Sequence, residues 1–303
     1  MAAAFSFNFF EPGPAQAQQG GAGDRSSAAS AGGSAEEVPP ADAATPAEPP
    51  TEVELDGGVR LLKGVVSSRA AAEVLGEPAL QASDLVPRKY EGGFKLWEGA
   101  LDLCSYLISE HQLTPELLRA ASPGGSLRGK KVLELGCGHG LPGVLCLLAG
   151  ATVHFQDFNR EVITQLTAPN VQANTARLPG GALREPPRFF AGDWADVGCA
   201  LAARGLGGHY DLVLAAETIY SLDSNAALLE CIKQVLQPPH GVALLAAKSF
   251  YFGVGGSTAG FAELVRADGV LECSQVWVRE DGVSNKREIL RLSFPASITP
   301  YFL

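Results

Sequence analysis

The feature that most constrains the fold is a glycine-patterned turn between two apolar stretches. Residues 131–135 (KVLEL) read as a short buried strand, and Gly136-Cys-Gly-His-Gly140 follows at once. Residues 141–149 read as an apolar helix, with Pro142 in its first turn, where a missing N–H costs nothing. Gly136, Gly138 and Gly140 alternate. Glycine is required where backbone turns sharply or where a ligand approaches the main chain without a Cβ in the way. The turn feeds a helix N-terminus, whose free N–H groups suit a negatively charged group. In an open α/β sheet, ligands bind at these strand C-termini.

The rest of the chain repeats this alternation. Strands are expected at 151–156, 188–191, 210–216 and 242–247, and helices at 160–176, 225–236 and 258–267. Ahead of them, Leu96, Trp97, Ala100, Leu101, Cys104, Leu107 and Ile108 recur at helical spacing. Two strand-like runs, 271–278 and 288–294, end the chain, joined by a turn through Asp281, Gly282 and Asn285. In the second run Leu290, Leu292 and Phe294 share one face, and Ile289, Arg291 and Ser293 the other. The expected fold class is α/β: a Rossmann-like sheet of seven strands, built from five β/α units and a C-terminal antiparallel hairpin.

Composition bounds the functions available. The 303 residues suit one or two domains. Acidic residues number 33 against 23 basic ones, and the first 60 positions hold nine of the former and two of the latter. That lack of cationic excess argues against direct nucleic-acid binding. No apolar run reaches the length of a membrane span, and the first ten residues lack the cationic start of a secretory signal. The six cysteines are scattered, without CxxC or histidines at zinc spacing, as in a reduced intracellular protein that holds no metal. Residues 11–56 are mostly Ala, Gly, Pro, Ser and Glu, too poor in large apolar side chains to offset ordering entropy. A disordered acidic tail is therefore expected over 1–58 and a folded domain over 59–303. Phe5, Phe7, Phe9 and Phe10 form either a sticky chain end or a short docking segment.

The glycine spacing selects among ligands. A dinucleotide fingerprint, G-x-G-x-x-G, needs a small residue at 141, where leucine stands. The pattern E-x-G-x-G-x-G instead resembles the cofactor loop of the seven-strand methyltransferases that use S-adenosylmethionine. Asp157 ends the second strand, where a carboxylate can accept hydrogen bonds from ribose hydroxyls. Gly192, Asp193 and Trp194 end the third, suited to bracketing an adenine.

Further segments resemble one branch of that superfamily, the protein-histidine methyltransferases that modify a large-subunit ribosomal protein. They are FSFNF at 5–9, YEGGFKLWE at 90–98, HFQDFN at 154–159, PNVQAN at 169–174, AETIY at 216–220 and YFGVGG at 251–256. The resemblance implies cofactor contacts from Leu96, Trp97, Glu98, Gly99 and Ala100, from the Gly136–Gly138–Gly140 loop, from Gln156, Asp157 and Phe158, from Gly192, Asp193 and Trp194, and from Ala216. His139, Asp193 and Ala216 depart from the branch's usual residues, yet none removes a backbone N–H or the ribose carboxylate. The implied substrate is a histidine of a large-subunit ribosomal protein, protein three by the resemblance, methylated at its distal nitrogen. Such a basic partner suits the acidic tail. A monomer acting in cytoplasm and nucleus is expected.

Histidine chemistry asks little of the enzyme. A free imidazole has a pKa of about 6.5, so near neutrality most of it carries a nucleophilic lone pair. In-line orientation then suffices, helped by a group that accepts a hydrogen bond from the near nitrogen. Glu217 and Tyr220 after the fourth strand, and Tyr251 and Phe252 after the fifth, are candidates for the acceptor pocket. Plainer readings stand beside these. By pattern alone Trp97 is a core residue, Glu217 caps the helix that follows it, His154 and Cys137 are packing residues, and Lys248 is a solvated rim charge. The competing functions are a lysine methyltransferase of the same fold and a non-catalytic scaffold that binds S-adenosylmethionine.

Overall fold

A computed structural model describes residues 35–301 except 82, 120–125, 179–182, 281, 283 and 284. The Phe-rich start and the tail to residue 34 lie outside the described residues. The described residues form ten strands: β1 (Glu36–Val38), β2 (Thr51–Glu54), β3 (Arg60–Lys63), β4 (Lys131–Leu135), β5 (Thr152–Asp157), β6 (Arg188–Ala191), β7 (Leu212–Ala216), β8 (Val242–Lys248), β9 (Glu272–Arg279) and β10 (Arg287–Ser293). The helices are α1 (Ser68–Leu75), α2 (Glu98–His111), α3 (Pro115–Arg119), α4 (Leu141–Leu148), α5 (Arg160–Val162), α6 (Ala168–Thr175), α7 (Trp194–Ala203), α8 (Leu222–Val235) and α9 (Thr258–Asp268). A π turn, Ile163–Thr167, joins α5 to α6.

The main sheet runs in the order β1-β6-β5-β4-β7-β8-β10-β9. The five central strands are parallel, β10 is antiparallel to β8 and β9, and β4 stands in the middle. The five β/α units and the terminal hairpin are thus as expected from the sequence. Side chains alternate between two cores. Val132, Val153, Phe155, Leu214 and Leu244 pack beneath α2 and α4, while Leu133, Leu135, Val213, Leu245 and Phe190 pack beneath α7, α8 and α9. On β10, Leu290 and Leu292 join the second core and Ile289 the first. The pairing of β10 with β9 shifts register between Ile289 and Leu290.

Residues 35–58 differ from expectation: they are folded. β1 adds an eighth strand, antiparallel to β6, and β2 pairs with β3. Few apolar side chains suffice because each one finds an existing hole; Val38, Leu55, Val59 and Leu61 are buried. Polar clamps do the rest. Asn174 accepts from the Leu62 N–H at 2.8 Å and donates to the Leu62 carbonyl at 2.7 Å, as a neighbouring strand would. Arg188 grips Glu37 with two hydrogen bonds of 2.7 and 2.8 Å, and Arg160 bonds both Glu36 and Asp42. These tail carboxylates are therefore engaged within the chain and are not held out to a basic partner.

One buried carboxyl ties the central strand to its helix. Glu134 Oε2 accepts from the Gly143 N–H at 2.8 Å, inside the first turn of α4. Burial pushes its pKa up to about 8. The folded state therefore binds a proton that the unfolded chain releases near pH 4.5. The stability this gives is complete below that pH and is lost as pH rises towards 8. In urea unfolding at pH 5 to 8, the wild type should lose up to about 1.4 kcal/mol per pH unit relative to Glu134→Gln. A pH-independent gap between the two would mean that the folded carboxyl is already ionised.

Candidate functional site

Steric exclusion shapes the turn after β4. Gly136, Gly138 and Gly140 have φ of 61°, 49° and 69°, the left-handed region that a Cβ penalises. A Cβ at Gly136 would also lie 2.9 Å from Thr218 Cγ2, and one at Gly138 2.9 Å from the Gly93 carbonyl oxygen. At these three positions the turn has no room for a side chain.

The neighbouring strand ends close a network around it. Gln156 Oε1 accepts from the Gly136 N–H at 3.2 Å and from Trp194 Nε1 at 2.9 Å, while its Nε2 donates to the Gly192 carbonyl at 2.8 Å. Asp157 accepts from the Gly138 N–H at 2.9 Å and the Asn159 N–H at 3.2 Å. Burial nevertheless pushes its pKa up to about 6. Phe158 is half-buried beside it. Asp193 also does something its place in a ligand loop does not suggest. Its carboxylate accepts from the Ala195 N–H at 3.0 Å and caps α7. Ala216 ends β7, half-buried.

A turn over residues 90–95 leans on this cluster. The Tyr90 hydroxyl accepts from the Phe94 N–H at 2.7 Å. His139 Nε2 lies 3.1 Å from the Phe94 carbonyl, which can only accept, so that nitrogen carries the proton. Burial lowers the His139 pKa to about 4, leaving the ring neutral under the turn. His154 and Cys137 are buried packing residues, as expected; His154 Nδ1 bonds the Tyr210 hydroxyl at 2.7 Å.

Beside the cluster opens a cavity of about 310 Å³, walled by Trp97, Glu217, Tyr220, Tyr251 and Phe252 and by residues not expected there from the sequence: Ser83, Asp84, Leu85, Glu91, Lys248, Val254 and Asn285. The four acceptor-pocket candidates thus meet in one place. Gly136, Asp157 and Trp194 do not line it; the two sites join through consecutive residues, Glu217 in the cavity wall and Thr218 against Gly136. Leu96 packs on the first core, and Ala100 is half-buried in α2.

Glu217 does not cap the helix that follows it. It stands at φ 58°, unusual for a side-chain-bearing residue. One oxygen accepts from the Gly99 N–H of α2 at 3.1 Å, and the other accepts from the Tyr251 hydroxyl. It therefore caps α2, 118 positions away. Burial pushes its pKa up.

Lys248 is not a solvated rim charge. Its side chain is 9% exposed, its Nζ lies 5.9 Å from the centroid of the Trp97 ring, and Glu98 stands 3.9 Å away. Trp97 is half-buried with Nε1 donating to the Gly92 carbonyl at 3.0 Å, and Lys95 Nζ lies 4.5 Å from the same ring. Neither Lys248 nor Glu91 has a periodic signal, because charged residues at a strand end or in a loop carry none. Among the described residues no group of His, Cys, Asp and Glu could hold a metal ion.

Relatives of this chain are recognisable. It is 40% identical to "Histidine protein methyltransferase 1 homolog" of Dictyostelium discoideum over 72% of this chain and 62% of that protein. The protein of the same name from Rattus norvegicus is 37% identical over 70% of this chain and 59% of its own length. "EEF1A lysine methyltransferase 3" of Mus musculus is 33% identical over 51% of this chain and 55% of its own. The chain thus spans about three-fifths of the length of the first of these relatives. Among solved structures, a SAM-dependent methyltransferase from Agrobacterium tumefaciens overlays with a TM-score of 0.48 at 17% identity, covering 82% of this chain and 71% of that one. Residues 84–250, more than half of the chain, match the family model Methyltransf_16, described as "Lysine methyltransferase", and the chain belongs to that family.

Proposed function

We propose that this chain transfers a methyl group from S-adenosylmethionine to the distal nitrogen of a histidine in another protein, and that this protein belongs to the large ribosomal subunit. The observation that carries the reading is the adjacency of a glycine turn and an aromatic-walled cavity, joined through Glu217 and Thr218. The names of the relatives, histidine methyltransferases at 37–40% identity, support histidine as the acceptor.

The residues around the turn fit S-adenosylmethionine, which when bound supplies an electrophilic methyl group on a sulfonium. Of the three left-handed glycines, Gly136 is half-buried and the other two are buried, so the amino-acid end would meet the turn at Gly136 beside Thr218. The Asp157 carboxylate takes backbone N–H groups from Gly138, Asn159 and Phe158, which leaves a lone pair for a ribose hydroxyl. The Thr218 hydroxyl is buried without a partner, a polar atom that a ligand beside Gly136 would satisfy. Asp157 is only 5% exposed beneath the 90–95 turn, so the reading requires that turn to shift when the ribose enters.

A lysine acceptor is the second reading, favoured by the description of the family and by the mouse relative. The charges of the cavity wall do not decide between the two, since Lys248 lies there together with Asp84, Glu91 and Glu217; the reaction's proton requirement does. An imidazole enters neutral and reacts without first losing a proton.

Two expectations follow from this reading. Binding of S-adenosylmethionine, measured by calorimetry, should weaken as pH falls through about 6, where the Asp157 carboxylate takes a proton. Asp157→Asn should bind weakly and without that pH dependence; a wild-type affinity flat from pH 5 to 8 would exclude Asp157 as the ribose acceptor. In the second test, ribosomal proteins from cells lacking this protein are incubated with the enzyme and labelled S-adenosylmethionine, then hydrolysed. Label in methylhistidine, absent with Asp157→Ala, is the expected result. Label in methyllysine would establish the second reading, and cofactor binding without any transfer would point to a scaffold or to a substrate outside the ribosome.

A further inference from the structure

We propose that Glu91 is a catalytic residue, whose carboxylate accepts the N–H of the near imidazole nitrogen and so turns the lone pair of the distal nitrogen towards the methyl group. The inference rests on the histidine reading above. It answers a need of that chemistry to which sequence patterns assign no residue: a group that fixes the tautomer.

Three carboxylates line the cavity; Glu217 is set apart by burial, which pushes its pKa up, and Asp84 by its ion pair with Lys95. Glu217 is buried, with one oxygen on the Gly99 N–H and the other on the Tyr251 hydroxyl. Asp84 pairs with Lys95 Nζ at 2.5 Å, with half of its side chain in solvent. Glu91 is half-buried and differently held. Its Oε1 accepts from the Arg88 N–H at 2.6 Å, and its Oε2 accepts from the Tyr220 hydroxyl. One bond on each oxygen fixes the plane of the carboxylate and leaves each a further lone pair. Tyr220 is secured as a donor, because burial and the Glu91 charge raise its pKa. Glu91 also lies near enough to Asp157 for its charge to raise that carboxyl's pKa.

The chemistry balances without a further reactant. The lone pair of the distal nitrogen forms the new N–C bond as the S–C bond breaks, and the electron pair of that bond stays on sulfur. The ring becomes a methylimidazolium that still carries its near N–H. Glu91 strengthens its hydrogen bond as this positive charge develops, which stabilises the transition state more than the ground state. The proton then leaves through the carboxylate to solvent, yielding neutral methylhistidine.

Glu91→Gln tests this in the ribosomal-protein assay, with chromatographic separation of the two N-methylhistidines and with cofactor binding as the control for folding. The variant should bind S-adenosylmethionine as the wild type does. Its kcat should fall about 100-fold, the lower end of the range for loss of a positioned proton-handling group. The isomer methylated on the near nitrogen should rise from a trace to a measurable fraction. The acid limb of the pH–rate profile should move to lower pH, because a neighbouring anion raises the pKa of the bound imidazole. Tyr220→Phe should act in the same direction, about three- to tenfold, the worth of one hydrogen bond. It decides the matter should Glu91→Gln fail to fold. Unchanged kcat, a single isomer and an unmoved pH profile in a variant that binds cofactor would overturn the role of Glu91 alone. A wild type that labels no histidine would overturn the histidine reading and this inference with it.

Discussion

The buried carboxylate of Glu217 holds together what the rest of the site depends on. It reaches α2 through the Gly99 N–H and the segment after β8 through Tyr251, from a left-handed residue just past β7. A Cβ at Gly99 would lie 2.9 Å from its Oε1, so α2 approaches closely only because that position is glycine. Backbone strain and a desolvated carboxyl both cost stability, and such costs are characteristic of functional sites. Their return is geometric: Trp97, Tyr251 and Thr218 all take their positions from one group.

The result is a division of labour along the C-terminal edge of the sheet. On one side of Glu217 the ends of β4, β5 and β6 offer main chain, one carboxylate and the Trp194 indole. On the other side the segments after β7 and β8, with the 83–97 loop, wall a cavity with aromatic rings. This is the switch point of an open α/β sheet, where strand order reverses about β4 and a crevice must form. The buried neutral groups beneath it, His139 and Glu134, keep the floor rigid without adding charge.

Much of this is legible in the sequence, for identifiable reasons. β4 and β6 have the limits their sequences imply because they are short apolar runs bounded by turn residues. The glycine turn is legible because only steric exclusion explains three alternating glycines there. The four pocket candidates follow from the rule that strand C-termini carry ligands, and they do share one cavity. α7 is hidden because its start, Gly192-Asp193-Trp194, has the look of a ligand loop, although Asp193 is also an N-cap. The 35–63 segment is hidden because composition averages over its neighbours. Four buried apolar side chains and the amide of Asn174 order it, and no window of local sequence contains those partners. Glu91 and Lys248 are likewise invisible in roles that depend on residues far away in the chain, Tyr220 and Trp97.

The central claim is that the glycine turn and the aromatic cavity are two halves of one reaction site. A crystal structure of the full chain with S-adenosylhomocysteine tests it most directly. The account predicts ribose hydroxyls on Asp157, the adenine beside Trp194, and the sulfur directed into the cavity between Tyr220 and Trp97. A ligand whose sulfur points away from that cavity, or one bound elsewhere on the sheet, would contradict it.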